Sequence, residues 1–154
     1  MIVEITYQKA TDADVEPIYA LCRALIDTYE DTGRIDYPKV LRWVHEKIRH
    51  AIGEYTVIYA DGEKAGYYHF FKNGDGAYEL DDLYVFEPFQ NQGIGTQVLR
   101  RCCTAAAEPV SLYVFKENHR AVSLYRRMGF EIIKAVHETR YVMLYDAKRG
   151  EGKT

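Results

Sequence analysis

A glycine-containing turn is the part of this sequence whose residue types and spacing could do chemistry. The run from Pro88 to Val98 holds Gly93-Ile94-Gly95, follows a strand-like segment from Tyr78 to Val85, and opens into a helix-like segment. A helix that starts at such a turn presents unpaired backbone N–H groups and the positive end of its dipole, which together attract phosphate. The turn therefore predicts an anion site, although a Gly-x-Gly by itself is more often an ordinary turn.

Three acidic residues, Glu79, Asp81 and Asp82, crowd the strand that leads into this turn. Strand alternation places Glu79 and Asp81 on one face of the sheet and Asp82 on the other. Like charges this close together should raise at least one of the three pKa values, which would suit a base that works near neutral pH. Solvated strand charges are the competing interpretation for each of them.

The composition of the 154-residue chain, 47% hydrophobic and 28% charged, is typical of a globular protein with one core. No apolar run is long enough to span a membrane, and the first ten residues lack the apolar core of a signal peptide. The net charge of −3 leaves no basic surface for nucleic acid. Three cysteines (Cys22, Cys102, Cys103) and five histidines without ligand spacing predict a reduced, cytoplasmic protein with no metal site.

Hydrophobic periodicity predicts the order β-α-α-β-β-β-α-β-α-β-β. Val15, Ile18, Cys22, Leu25 and Tyr29 recur at helical spacing, whereas the runs beyond Gly53 are rich in β-forming residues. The expected fold is α/β, with a mixed central sheet flanked by helices (α+β in layout). One domain is expected over residues 1–147, and residues 148–154 are expected to be a disordered polar tail.

Three motifs on these elements resemble the GCN5-related N-acetyltransferase (GNAT) family. They are Leu80-Asp81-Asp82-Leu83-Tyr84-Val85, Gln90-Asn91-Gln92-Gly93-Ile94-Gly95, and Asn118-x-x-Ala121-x-x-x-Tyr125-x-x-x-Gly129-Phe130. The middle motif is similar to the family's Q/R-x-x-G-x-G/A signature, and the other two flank it in matching order. The resemblance covers nearly the whole chain. It implies an acyl-CoA N-acyltransferase fold, a sheet splayed between the strands at 78–85 and 110–115, and acetyl-coenzyme A (acetyl-CoA) as the acetyl donor.

The resemblance also implies which residues hold acetyl-CoA. The pantetheine arm would hydrogen-bond the strand backbone as an added strand does, and the pyrophosphate would lie on the amides of Gln92 to Thr96. The implied cofactor-binding residues are Leu83, Tyr84, Val85, Gln90, Asn91, Gln92, Gly93, Ile94, Gly95, Thr96, Asn118, Ala121 and Tyr125.

One departure from the family pattern is that Gln90-Asn91-Gln92 contains no arginine or lysine. Phosphate binding would therefore depend on backbone donors and the helix terminus. Lys116, Arg126 and Arg127 are candidates for a cation at the nucleotide end, with a solvated surface role as the alternative for each.

Acyl transfer from a thioester to an amine requires a neutral amine, a stabilised oxyanion and a leaving thiolate that is protonated. The resemblance implies Tyr125 as the proton donor to the thiolate, and a backbone N–H near Val85 as the donor to the thioester oxygen. It implies Glu79 as the base by likeness to histone-type relatives, or Asp81 by likeness to polyamine-type relatives. The sequence leaves this choice open.

The acceptor pocket is expected between the first two helices, the loop that joins them and the C-terminal hairpin. That loop is acidic and aromatic, and together with the strand acids it favours a cationic amine. Tyr29, Glu30 and Asp82 are the expected acceptor-binding residues. The resulting hypothesis is an N-acetyltransferase in which a small cationic amine, a polyamine or an amino-acid derivative, attacks acetyl-CoA directly in a ternary complex.

Two alternatives and the assembly stay open at this point. The chain could instead acetylate protein lysines or N termini, or it could be a non-catalytic acyl-CoA sensor. No nucleic-acid or membrane partner is expected. Exposed aromatic residues in the segment from Tyr141 to Tyr145 make a homodimer a candidate assembly.

Overall fold

Seven strands and four α-helices make up most of the part of the chain that the structure describes. The computed structural model describes residues 3–74 and 76–148. The strands are β1 (Ile5–Lys9), β2 (Tyr55–Ala60), β3 (Glu63–Lys72), β4 (Tyr78–Val85), β5 (Val110–Phe115), β6 (Glu131–Val136) and β7 (Arg140–Tyr145). The helices are α1 (Val15–Tyr29), α2 (Tyr37–Ala51), α3 (Ile94–Ala105) and α4 (His119–Arg127). This is the predicted order, and the prediction of a mixed sheet flanked by helices is confirmed.

Local sequence signals set the helix limits. The carboxylate of Asp36 accepts a hydrogen bond from the backbone N–H of Lys39 and caps α2, and Asn118 caps α4 through the N–H of Ala121. Gly129 follows α4 with a φ of +99°, a conformation that glycine adopts without strain. Helix α1 runs from Val15 to Tyr29, so it contains all five residues of the predicted helical stripe.

The sheet separates two hydrophobic clusters. On one face, α3 and α4 bury Val98, Leu99 and Tyr125 against strand residues such as Leu80. On the other face, α1 and α2 cover a second cluster that includes Ile18, Ile48, Tyr55, Tyr67 and Tyr84. The fold therefore has three layers, and β4 contributes side chains to both interfaces.

The sheet is open between β4 and β5. These two parallel strands pair at Tyr78 with Val110 and at Glu79 with Ser111, and at no later described position. Strand β5 nevertheless continues to Phe115 as the partner of β7, so the second half of β4 diverges from it. The splay that the family resemblance implied thus begins directly after Glu79.

A β-bulge lies in β4 at the start of the splay. His69 of β3 is opposite Asp82, and Phe70 is opposite Leu80, so that Asp81 is an extra residue without its own partner. The bulge brings both aspartates to the α1–α2 face, where Asp82 contacts Tyr55 and Asp81 contacts His69. The expectation that Asp82 faces away from Asp81 is therefore wrong, because strict alternation fails at a bulge.

Gly66 allows β3 and β4 to approach each other beside the splay. A Cβ atom at this buried position would lie 1.9 Å from the backbone carbonyl oxygen of Tyr84. We expect Gly66→Ala to cost about 2–3 kcal/mol of folding free energy and to lower Tm by about 5–10 °C in thermal unfolding followed by circular dichroism. Gly74→Ala is the matched control, since a Cβ there meets nothing within 4 Å. Equal Tm values for the two variants would contradict this expectation.

Three further expectations concern the chain outside the site. In the described part of the chain, no helix has the length and apolar character needed to cross a bilayer. Of the expected tail, residues 149–154 lie outside the described residues. Strand β7 is an interior strand with half-buried Tyr141 and Tyr145, so the exposed aromatic surface invoked for a homodimer is not present there.

Candidate active site

A cavity of about 650 Å³ lies at the splay, between α1, the end of β4, the start of α3, and α4. Because α1 covers one face of the sheet and α3 and α4 cover the other, the cavity is lined from both faces. The lining residues are Leu21, Ala24, Leu25, Thr28, Tyr29, Leu83, Tyr84, Val85, Phe86, Glu87, Phe89, Gln90, Asn91, Gly93, Ile94, Gly95, Thr96, Asn118, Arg120, Ala121, Leu124, Tyr125 and Arg127.

The glycine turn presents backbone donors to this cavity. Gly93 is the N-cap of α3 with a φ of +79°, and no side chain caps the helix. The first helical hydrogen bond runs from the N–H of Gln97 to the carbonyl of Gly93, so the amides of Ile94, Gly95 and Thr96 have no partner within the helix. All three residues line the cavity, and a Cβ at Gly93 would meet nothing within 4 Å. This cradle is open and suited to an anion.

Most of the predicted cofactor-binding residues line the cavity, and Gln92 is the exception. The Gln92 side chain is exposed and donates to the carbonyl of Pro88 at 3.3 Å. Gln90 instead donates to the carbonyl of Val85 at 2.8 Å and so fixes the turn against the end of β4.

Arg120 is a cavity residue that sequence reasoning missed. Its guanidinium donates from Nη1 to Oε1 of Gln90, and from Nη2 to Oδ1 of Asn91 at 3.0 Å. Of the basic residues suggested from sequence, Arg127 lines the cavity, whereas Lys116 lies over the ring of Tyr141 at 5.5 Å. The available signal was the position of Arg120 in the first turn of α4, two residues after the cap Asn118.

Tyr125 is a buried residue of α4 that lines the cavity. Burial raises the pKa of its hydroxyl, and the negative charge of Asp82 raises it further. None of the hydrogen bonds among described residues uses this hydroxyl. Tyr125 therefore keeps its proton near neutral pH, and that proton is free to be donated.

Asp82 accepts hydrogen bonds from two tyrosines. The hydroxyl of Tyr55 lies 2.7 Å from Oδ2, and the hydroxyl of Tyr84, a residue that lines the cavity, lies 2.9 Å from Oδ1. Burial raises the pKa of Asp82, and the neighbouring charge of Asp81 adds to this effect. Asp82 is consequently a carboxylate that takes up a proton more readily than an exposed aspartate.

Asp81 is held in a charged network instead. Lys47 of α2 forms an ion pair with it, and Nδ1 of His69 lies 3.3 Å from its Oδ2. Burial alone would raise the pKa of Asp81, but the His69 hydrogen bond and the Lys47 ammonium lower it on balance. Asp81 therefore stays ionised and paired, which makes it a weaker proton acceptor than Asp82.

His69 connects Asp81, inside the protein, with Glu54 at the surface. It is 2% exposed and is stacked between Tyr55 and Phe71, with ring centroids 4.3 and 4.5 Å away. Its Nε2 lies 2.8 Å from the carboxylate of Glu54, whose side chain is 56% exposed. Burial would lower the pKa of His69, yet the two carboxylates raise it on balance, so its charged form is favoured.

His69, Asp81 and Asp82 lie close enough together to hold a metal ion, but other contacts in the protein already satisfy them. One ligand atom each of His69, Asp81 and Asp82 lie within 4.8 Å of one another. Lys47 already neutralises Asp81, however, and tyrosine hydroxyls donate to both oxygens of Asp82. The cluster is therefore explained as an ion-pair and hydrogen-bond network.

Glu79 and the acceptor-binding residues expected from sequence occupy different surroundings. Glu79 is half-buried outside the cavity lining, and burial together with the charge of Asp81 raises its pKa. Tyr29 lines the cavity and stacks on Phe115 at 5.7 Å. Glu30 does not line it, because its carboxylate accepts from Thr139 at 2.8 Å and pairs with Arg140 at 3.3 Å.

The acidic loop between α1 and α2 is mostly engaged in its own contacts. Asp31 pairs with Arg34, whose guanidinium also binds Glu138 in the β6–β7 turn. Beside the loop, Asp27 of α1 accepts a hydrogen bond from Tyr37 of α2, and Asp36 caps α2. The loop is thus fastened to the C-terminal hairpin. Of the strand acids, none lines the cavity, whereas Glu87, after the end of β4, does.

Comparison with known proteins decides the family. Residues 18–130 match the Acetyltransferase (GNAT) family. The chain belongs to this family. The resemblance that the three motifs suggested is therefore confirmed.

Individual relatives agree with this assignment. The chain is 29% identical, over 148 aligned positions, to the uncharacterized N-acetyltransferase YobR of Bacillus subtilis (strain 168), with 77% of this chain covered. It spans 58% of the length of that protein.

Solved structures show the same fold. The PaiA N-acetyltransferase from Thermoplasma acidophilum, in complex with coenzyme A, aligns with a TM-score of 0.68 at 18% identity and covers 93% of this chain and 99% of its own. An N-acetyltransferase from Staphylococcus aureus Mu50 aligns with a TM-score of 0.70 at 15% identity and covers 90% of this chain and 99% of its own.

Proposed function

We propose that this protein transfers the acetyl group of acetyl-CoA to a primary amine by direct attack in a ternary complex. The observation that carries the proposal is a single cavity lined by three features: the N-terminus of α3, which suits a phosphate, the edge of β4 that β5 leaves open, and Tyr125. Each part matches one portion of an acyl-CoA: the pyrophosphate, the extended pantetheine arm and the thioester.

Acetyl-CoA, when bound, supplies the acetyl thioester and a thiolate leaving group. The amides of Ile94, Gly95 and Thr96 would hold its pyrophosphate at the start of α3. The backbone of Leu83 to Val85, which β5 leaves unpaired, would hydrogen-bond the pantetheine arm and polarise the thioester carbonyl. Tyr125 would donate its proton to the departing sulfur.

Asp82 is the strand acid that best fits the role of base. Asp82 does not itself line the cavity, but its charge raises the pKa of Tyr125, and Tyr84, which donates a hydrogen bond to it, does line the cavity. Its raised pKa favours proton uptake, whereas Asp81 is neutralised by Lys47. Asp82 would accept a proton from the acceptor's ammonium, so that the neutral amine can attack the thioester, and Tyr55 and Tyr84 would keep the carboxylate oriented. Glu79, also with a raised pKa, is the next candidate.

The acceptor that these residues favour is a small amine that carries a positive charge. Four carboxylates, those of Glu54, Glu79, Asp81 and Asp82, cluster on the α1–α2 face around one lysine and one histidine. With its four carboxylates ionised, the cluster is net negative even when His69 is protonated. The α1 wall of the cavity, by contrast, is apolar at Leu21, Ala24 and Leu25, which suits the carbon chain of a polyamine or an amino-acid derivative.

A matched amine panel tests this proposal. Thiol release from acetyl-CoA would be measured with spermidine, a diaminoalkane, an amino-acid amide, a neutral-chain monoamine and glutamate. We expect kcat/KM to be about tenfold or more higher for the acceptors with an additional positive charge than for glutamate. Calorimetric titration with CoA, run in parallel, reports donor binding without any acceptor.

Other outcomes point to other functions. Binding of CoA without turnover of any amine or peptide would favour a sensor, and turnover of peptides alone would favour protein acetylation. Turnover restricted to anionic acceptors would contradict the charge argument. Glu108→Gln, a change at an exposed glutamate in the loop before β5, is a control that should leave the acceptor ranking unchanged.

A further inference from the structure

We propose that Arg120 provides, from helix α4, the positive charge for the CoA pyrophosphate that the glycine turn itself lacks. The inference rests on the proposed function, because it assumes that the cavity binds CoA. It assigns a role to a residue outside the Gln90–Gly95 motif.

The first observation is the composition of the turn. Residues Gln90 to Thr96 contain no lysine or arginine, so the turn offers amides and side-chain amide oxygens but no formal charge. A pyrophosphate carries two negative charges, which backbone dipoles stabilise less strongly than a cation does.

The second observation is the reach of Arg120. Its two terminal nitrogens hold Oε1 of Gln90 and Oδ1 of Asn91, and the residue lines the cavity. The planar guanidinium uses two N–H donors to bind two amide oxygens here, and the same two donors could bind two oxygens of a phosphate. Arg120 is thus already beside the α3 amides that form the cradle.

The third observation is that the arginines of α4 differ in their contacts with the cavity and with the glycine turn. Arg126 is exposed and does not line the cavity, whereas Arg120 and Arg127, seven residues or about two turns apart, both do. Arg120 contacts the turn and Arg127 has no described contact with it. We therefore assign Arg120 to the pyrophosphate, and not to a more distant phosphate.

The test is calorimetric titration of wild-type protein, Arg120→Gln, Arg120→Lys and the control Arg126→Gln. The probes are CoA, dephospho-CoA and pantetheine, which differ in their phosphates. We expect Arg120→Gln to lower the affinity for CoA and for dephospho-CoA by about tenfold each and to leave the affinity for pantetheine unchanged. The salt dependence of CoA binding should also be reduced. Arg120→Lys should restore part of the loss, and Arg126→Gln should bind as wild type does.

Each contrary result has a distinct meaning. Unchanged CoA affinity in Arg120→Gln would overturn the inference, and an equal loss for pantetheine would show that Arg120 only shapes the turn. A loss for CoA but not for dephospho-CoA would move the contact to the 3′-phosphate and overturn the pyrophosphate assignment. Failure of the wild type to bind CoA would instead refute the proposed function.

Discussion

Replacing Asp82 by asparagine should lower kcat by about 100-fold or more while CoA affinity stays close to that of the wild type. The expected size is that of a lost general base. Asparagine keeps the shape and accepts one hydrogen bond from Tyr55 or Tyr84, so the fold should tolerate the change better than a truncation. The rate would be measured by thiol release with the best amine of the panel, and CoA binding by calorimetry. Asp12→Asn, at an exposed residue outside the cavity lining, is the matched control.

The pH profile separates a base from a structural role for Asp82. A base works only when it is deprotonated, so the rate falls as pH drops through its pKa. Because burial and Asp81 raise the pKa of Asp82, this acid limb should lie at higher pH than for an ordinary aspartate, and it should be absent in Asp82→Asn.

Two neighbouring substitutions should move the same acid limb in opposite directions. Asp81→Asn removes a negative charge that raises the pKa of Asp82, so the limb should shift to lower pH. Lys47→Met removes a positive charge that lowers this pKa, so the limb should shift to higher pH. A wild-type limb that survives in Asp82→Asn but vanishes in Glu79→Gln would transfer the role of base to Glu79.

Replacing Tyr125 by phenylalanine should also lower kcat by about 100-fold, with little change in CoA affinity. The hydroxyl makes no described hydrogen bond to the protein, so its removal leaves no partner unsatisfied and should barely change Tm. Because burial and Asp82 raise the pKa of Tyr125, its hydroxyl should remain protonated up to about pH 10. Ionisation of Tyr125 should therefore not reduce wild-type activity at any pH below this value.

The nature of the leaving thiol distinguishes proton donation by Tyr125 from packing. An aryl thioester releases a more acidic thiol that needs less protonation, so Tyr125→Phe should lose less activity with such a donor than with acetyl-CoA. An equal loss with both donors, or a parallel loss of CoA affinity, would show that the ring only shapes the cavity. Tyr113→Phe, at a tyrosine of β5 that is 49% exposed, is the control.

Periodicity and turn chemistry were sufficient to predict the elements that carry the site. The strand from Tyr78 to Val85 and the caps Asn118 and Gly129 are local features, determined by residues a few positions apart. The glycine turn was predictable for the same reason, since a strand, a turn and a helix start follow one another directly in sequence. Local signals of this kind survive folding because tertiary contacts reinforce them.

The side-chain partners were not predictable, because they depend on register and on distant elements. The bulge at Asp81 is visible only in the pairing of β4 with β3, and it reverses the face on which Asp82 was expected. Lys47 reaches Asp81 from a helix more than thirty residues earlier, and Arg120 reaches Asn91 from a helix that follows it. Sequence patterns report the periodicity of a segment but not which segment it will face.

The opening between β4 and β5 also bears on the order in which substrates bind. Two residue pairs connect the block of β1 to β4 with the block of β5 to β7, so the sheet is almost two separate sheets. An extended donor in the gap would join them by taking the place of a missing strand. In the proposed mechanism the amine attacks the thioester of this donor, so its binding surface would be complete only when the gap is filled. We therefore expect compulsory-order kinetics, with the donor binding first and the empty protein having little affinity for the amine.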